Sequence, residues 1–132
     1  IDIGVHALDL NDGRIFAEST SGNSGDIRLQ ASKSVRLRNG SLISTSTGSG
    51  NGGNITINSP LVIAEFQGNN DIFANAFDGE GGEIKINAQS IFGLKQRTSE
   101  ELQPELQRRF GTATPTTLQL QEFLGGLADN DV

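Results

Sequence analysis

The sequence contains no cysteine, methionine, tryptophan or tyrosine, and His6 is its one histidine among 132 residues. Without cysteine there is no disulfide framework, no thiolate nucleophile and no sulfur-ligated metal. With a single histidine, no cluster of imidazoles within this stretch can hold a zinc-type ion, and His6 reads as an ordinary residue near a turn. No run of apolar residues reaches 18, so no segment reads as a membrane-spanning helix. Ten basic residues against 16 acidic ones give a net charge of −6, which argues against a dedicated nucleic-acid binder. There is no initiating methionine and no signal peptide. Ile1-Asp2-Ile3 reads as a strand already under way, and the expectation is a piece of a longer chain.

What the chain does have is glycine, 17 residues of it, together with abundant Ser, Thr and Asn. Much of that glycine falls into a stretch that occurs three times. Gly22-Asn23-Ser24-Gly25-Asp26-Ile27-Arg28-Leu29 returns as Gly50-Asn51-Gly52-Gly53-Asn54-Ile55-Thr56-Ile57 and again as Gly79-Glu80-Gly81-Gly82-Glu83-Ile84-Lys85-Ile86, at offsets of 28 and 29 residues. Each copy is a tight turn followed by an apolar–polar–apolar triplet, the pattern of a short strand with one buried face. A fixed period of this length, built from turn and strand, predicts a stacked solenoid.

Two further strand-like pieces follow within each period. The first coil reads as Ile1–Ile3, Leu8–Leu10 and Ile15–Ala17. The second reads as Ile27–Leu29, Val35–Leu37 and Leu42–Ser44, laid over the first without a gap at an offset of 27 from Leu8 to Thr20. The third reads as Ile55–Ile57, Leu61–Ile63 and, after a longer connection, Ile72–Ala74. The fourth begins with Ile84–Ile86 and fades through Ile91-Phe92. Strands that recur at such a spacing are not hairpins, whose loops run two to five residues. Stacking the coils instead sets equivalent strands side by side in parallel, about 4.8 Å apart.

The fold expected over residues 1–93 is therefore all-β. It is a parallel β-helix of about three to four coils with three short strands per coil, right-handed by the usual crossover chirality. Ile27, Ile55 and Ile84 should form one inward ladder and Leu29, Ile57 and Ile86 a second. Asp2, Arg28, Thr56 and Lys85 should form an outward column.

Residues 94–132 read differently, as a partly helical tail. Thr98 and Glu101 have the spacing of a capping box, and Leu102, Leu106 and Phe110 recur every four residues. Pro115 suits a first helical turn ahead of Leu120, Phe123, Leu124 and Leu127, with a strand at Leu118–Leu120 as the competing reading. Such a tail could cover the open end of the stack or dock on a neighbouring subunit to build a filament.

Charged residues are the candidates for contact or chemistry. Asp26, Asn54 and Glu83 occupy one turn position in successive coils. Asp26 and Glu83, two coils apart, have the separation of an inverting carboxylate pair at its upper limit, and the competing reading is that they are solvated turn residues. Mixed Asp, Asn and Glu at that position is a poor calcium pattern. Arg14, Arg28, Lys33, Arg36 and Arg38 gather early in the chain, and Glu65, Asp71, Asp78, Glu80 and Glu83 later. Asp26, Arg28, Arg36, Arg38 and Glu83 are the residues expected to touch a glycan or a neighbouring protein. Ser44-Thr45-Ser46-Thr47 could present a flat hydroxyl array. Gly22-Asn23-Ser24-Gly25 is no phosphate loop, because no Gly-Lys-Ser/Thr follows it. No cofactor is expected.

The unit Arg38-Asn39-Gly40-Ser41-Leu42-Ile43-Ser44-Thr45-Ser46-Thr47, followed by Gly50-Asn51-Gly52-Gly53-Asn54-Ile55-Thr56-Ile57, resembles the C-terminal repeats of filamentous-haemagglutinin-like exoproteins, particularly the large cyanobacterial ones. Asn70-Asp71-Ile72-Phe73-Ala74-Asn75-Ala76-Phe77, Gly79 to Asn87 and Ile91-Phe92-Gly93-Leu94 extend the resemblance over about residues 10–97. It implies two-partner secretion through an outer-membrane pore to the outer cell surface. It further implies a non-catalytic role as an elongated adhesin or fibre, with neighbouring subunits or surface glycans as partners. A carbohydrate-binding or polysaccharide-active β-helix is the alternative.

Overall fold

The computed structural model describes residues 1–96. They form nine strands: β1 (Asp2–Asn11), β2 (Arg14–Ser19), β3 (Ile27–Arg38), β4 (Leu42–Thr47), β5 (Ile55–Asn58), β6 (Leu61–Ala64), β7 (Asp71–Ala76), β8 (Ile84–Asn87) and β9 (Ser90–Phe92). No helix occurs among the described residues. Every strand pairing is parallel and links one coil to the next. Sheet A stacks β1 on β3, then β3 on β5 and β6, then these on β8 and β9. Sheet B stacks β2, β4 and β7. The result is a parallel β-solenoid of about three turns, with residues 84–92 opening a fourth. The tail readings over 97–132 lie outside the described residues.

The inward ladders follow the sequence pattern. Ile3, Leu29, Ile57 and Ile86 stack in register, as do Ile27, Ile55 and Ile84. Val35 and Val62 continue the core along the far half of sheet A, and Ile43 and Ile72 close it from sheet B. In the two middle coils these side chains are sealed, with Leu29, Ile57, Val35 and Ile43 retaining 1% of their surface or less. Burial of each such side chain contributes about 1.5–3 kcal/mol relative to exposure. Asp2, Arg28, Thr56 and Lys85 form the outward column.

Two expectations need correction. In the first two coils the first two strands run together, as β1 and β3, so those coils carry two strands rather than three. The bend is absorbed by a register shift between Val5 and Ala7, a bulge that keeps the ladder paired on both sides. The third coil does split, at Ser59-Pro60, because proline has no N–H for the ladder. The Pro60 carbonyl still accepts from both Gln89 N and Ser90 N of the coil above, and the fourth coil splits at the same place.

The second correction concerns sheet B. An ungapped overlay would put Ile15 over Leu42, but Ile15 pairs with Ile43 and Phe16 with Ser44. Ser41 is an extra residue in the corner. Its hydroxyl accepts from Gly13 N at 3.2 Å and donates to the Arg38 carbonyl at 2.6 Å, which holds the inserted residue in place. A one-residue slip exchanges the two faces of a strand, so the insertion decides that Ile43 rather than Leu42 points inward.

Candidate functional site

The repeated glycine-rich corner is built by two columns of glycine stacked closely coil on coil. Gly22, Gly50 and Gly79 have φ of 81°, 104° and 150°, a region that side-chain-bearing residues avoid. A Cβ at Gly50 or Gly79 would also collide with the glycine backbone of the coil below, Gly22 and Gly50 respectively. In the second column Gly53 meets the Gly25 carbonyl, and Gly82 that of Gly53, in the same way. Close stacking at this corner lets side chains of one coil reach the backbone of the next. Asn51 N donates to Asn23 Oδ1 at 2.9 Å, Gly53 N to Ser24 Oγ, and Asn54 N to Asp26 Oδ1 at 2.8 Å. One coil later, Glu83 N donates to Asn54 Oδ1 at 2.9 Å.

This geometry assigns the Asp26 and Asn54 side chains of the column a structural duty, with Glu83 taking part through its backbone N–H. Oxygens of Asp26 and Asn54 serve as acceptors for otherwise unpaired corner N–H groups, the task an N-cap performs for a helix. The Glu83 carboxylate lies 3.9 Å from Lys85 Nζ, with both side chains well exposed. Among the described residues no group of three or more His, Asp or Glu is arranged to hold a metal ion.

The basic candidates separate. Arg28, Arg36 and Arg38 all project from the outer face of β3, but eight residues of extended chain divide Arg28 from Arg36, up to about 26 Å at strand rise. Arg28 faces Asp2 of the neighbouring coil at 3.9 Å. Arg38 makes a two-pronged pair with Asp9, Nε to Oδ1 at 2.9 Å and Nη2 to Oδ2 at 3.0 Å. That hydrogen-bonded carboxylate, against a smaller desolvation effect, holds the Arg38 guanidinium above its ordinary pKa. Arg36 is in register with the same Asp9. The arginines are thus interleaved with carboxylates rather than gathered into one basic patch, and Arg14 stands on β2 of the other sheet. Asp26 and Glu83, at the glycine-rich corner, lie beside the Arg28 column and away from Arg36 and Arg38.

The Ser44–Thr47 hydroxyls are not presented. All four residues are buried. Thr45 Oγ1 donates to the Gly53 carbonyl and Thr47 Oγ1 to that of Gly22 at 2.6 Å, closing the inside of the corner.

A feature that sequence reading passed over is a groove of about 790 Å³ across the coils where sheet A bends. Carboxamides line it in strict register, Gln30 over Asn58 over Asn87, with Asn87 Nδ2 donating to Asn58 Oδ1 at 2.7 Å. None of its lining residues is charged, and Val5, Ala31, Pro60 and Ala88 supply the apolar part. His6 Nδ1 and Ser32 Oγ are 2.8 Å apart beside it. Chemically the groove offers neutral donors and acceptors at strand spacing. The signal was available in the sequence as an amide at the same place in each repeat.

Comparison of the chain with family models, with curated proteins and with solved structures finds no match to any of them.

Proposed function

We propose that this chain is a non-catalytic structural and adhesive segment of a secreted cell-surface protein, of the filamentous-haemagglutinin-like kind that its repeats resemble. In that setting the coils form a right-handed stack that serves as a rigid spacer and contact surface. The observation that carries the reading is the use of the Asp26–Asn54–Glu83 column. The Asp26 and Asn54 side chains are engaged in joining each coil to the next, which suits a load-carrying rod. Immunogold labelling of intact producing cells tests the location. Label standing off the outer surface is expected, and label confined to permeabilised cells contradicts the reading.

The amide-lined groove favours a second reading, in which the segment binds a neutral glycan. Affinity electrophoresis of the purified chain in gels containing dextran or galactan tests it. Retardation abolished by Asn58→Ala supports glycan binding, and unchanged mobility in every gel removes it.

A further inference from the structure

Sheet B has an outer face that does not behave as a free surface. Ile15, Ile43 and Ile72 point into the core, as do Ala17 and Ala74. Alternation therefore turns Phe16, Ser44 and Phe73 outward in one row, and Glu18, Ser46 and Asn75 in the next. On sheet A the outward residues are wet: Arg28, Arg36 and Lys85 are exposed, and Thr56 on a central strand is half-buried. On sheet B, Ser44 retains 0% of its surface, Ser46 3% and Phe73 8%.

Phe73 is the most informative of these. It belongs to β7, the last strand of sheet B among the described residues, and it is not part of the inner core cluster. A large ring that faces outward from such a strand loses water only beneath a cover. Ser44 Oγ and Asn75 Nδ2, on the same face, are buried with no hydrogen-bond partner among the described residues. Polar atoms in that state are out of reach of bulk water and call for an explanation.

The described chain leads toward this face. Strand β9 stacks on β6, and Gly93 passes so closely over Ala64 that a Cβ would collide with its carbonyl. Residues 93–96 thus enter the corner that, one coil earlier, delivers the chain into β7 of sheet B. Beyond Gln96 the sequence continues for 36 residues, among them Leu102, Leu106 and Phe110 at intervals of four.

We propose that the outer face of sheet B is a docking surface for this chain's own segment 97–132, seated through Leu102, Leu106 and Phe110 on Phe16, Ser44 and Phe73. The chain lacks cysteine, so a single introduced thiol is the sole probe of its surroundings. In the full-length chain, Ser44→Cys should react with a water-soluble disulfide reagent at least about tenfold more slowly than Thr56→Cys, since only opening exposes it. When Leu102, Leu106 and Phe110 are all replaced by serine, the Ser44→Cys rate should rise to that of Thr56→Cys, while Leu29→Cys in the core stays protected.

Equal rates at Ser44→Cys and Thr56→Cys in the otherwise unaltered chain would overturn the proposal. So would a Ser44→Cys rate untouched by the triple replacement, and a rate that falls with protein concentration would give the cover to a second copy. If Leu29→Cys becomes reactive in the triple variant, the fold has been lost and proximity decides. A nitroxide on Glu105→Cys in the otherwise unaltered chain should then broaden the Phe16 and Phe73 ring resonances, and unbroadened rings refute the docking.

Discussion

The Asp26 carboxylate accepts a hydrogen bond from the Asn54 backbone N–H at 2.8 Å, across the boundary between two coils. The same asparagine passes the arrangement on, accepting Glu83 N on its own Oδ1. Asp26, which the sequence allowed either as one of a carboxylate pair or as a solvated turn residue, is a joint in the stack. Asp26→Asn retains the acceptor oxygen and is expected to leave stability within about 0.5 kcal/mol, whereas Asp26→Ala is expected to cost about 1 kcal/mol. Urea denaturation of the two variants separates these outcomes.

The glycine at the corner is a steric requirement. In Gly53→Ala the new methyl would collide with the Gly25 carbonyl and force adjacent coils apart, with an expected loss of about 1–3 kcal/mol. Gly4 lies in β1 with open space where its Cβ would be. Gly4→Ala is expected to be neutral or to stabilise by up to about 1 kcal/mol, by narrowing the unfolded ensemble. Thermal unfolding of both variants makes the comparison within one protein.

Core ladders should weaken toward their end. Ile57 is fully buried between Leu29 and Ile86, while Ile86 itself is half-buried. Ile57→Ala is expected to cost about 2–5 kcal/mol, and Ile86→Ala distinctly less. Equal losses would mean that the two positions are buried alike.

Arg38 and Asp9 form a two-pronged ion pair on the outer face of sheet A, and both side chains remain partly in water. Asp9→Asn is expected to destabilise only slightly, as exposed pairs do. That difference should shrink further in about 1 M salt, where screening lengths fall to about 3 Å. Denaturation at two ionic strengths measures it.

Much of this architecture was legible because period and alternation act together. A 28- to 29-residue offset aligned Ile27, Ile55 and Ile84, and burial of one face then fixed the register of sheet A. Sheet B was less legible because Ser41, a single inserted residue in a corner, shifts the frame without altering the apolar pattern on either side. Leu42-Ile43 supports both frames, and only the hydrogen bonds of the Ser41 hydroxyl distinguish them. The fusion of strands in β1 and β3 was hidden for a related reason. Gly4 to Ala7 and Gln30 to Ser34 look like turn sequence, yet a bulge carries the ladder through them.

The candidate site was less legible still. Charge type alone made Asp26, Glu83 and the arginines resemble a contact surface. Their roles depend on which backbone N–H or carboxylate lies one coil away, as Asn54 N does for Asp26 and Asp9 for Arg38. The recurring amide of Gln30, Asn58 and Asn87 could be read from the sequence, but the groove it lines and the burial of Ser44 and Phe73 on sheet B emerge only when the coils are assembled.

The central claim is that successive repeats lie parallel and in register, with the frame of sheet B set by Ser41. Interstrand nuclear Overhauser effects in the isotope-labelled chain test this most directly. The account predicts cross-peaks linking Arg28 with Thr56 and Thr56 with Lys85, and linking Ile15 with Ile43. Antiparallel cross-peaks between consecutive strands, or Ile15 paired with Leu42, would contradict it.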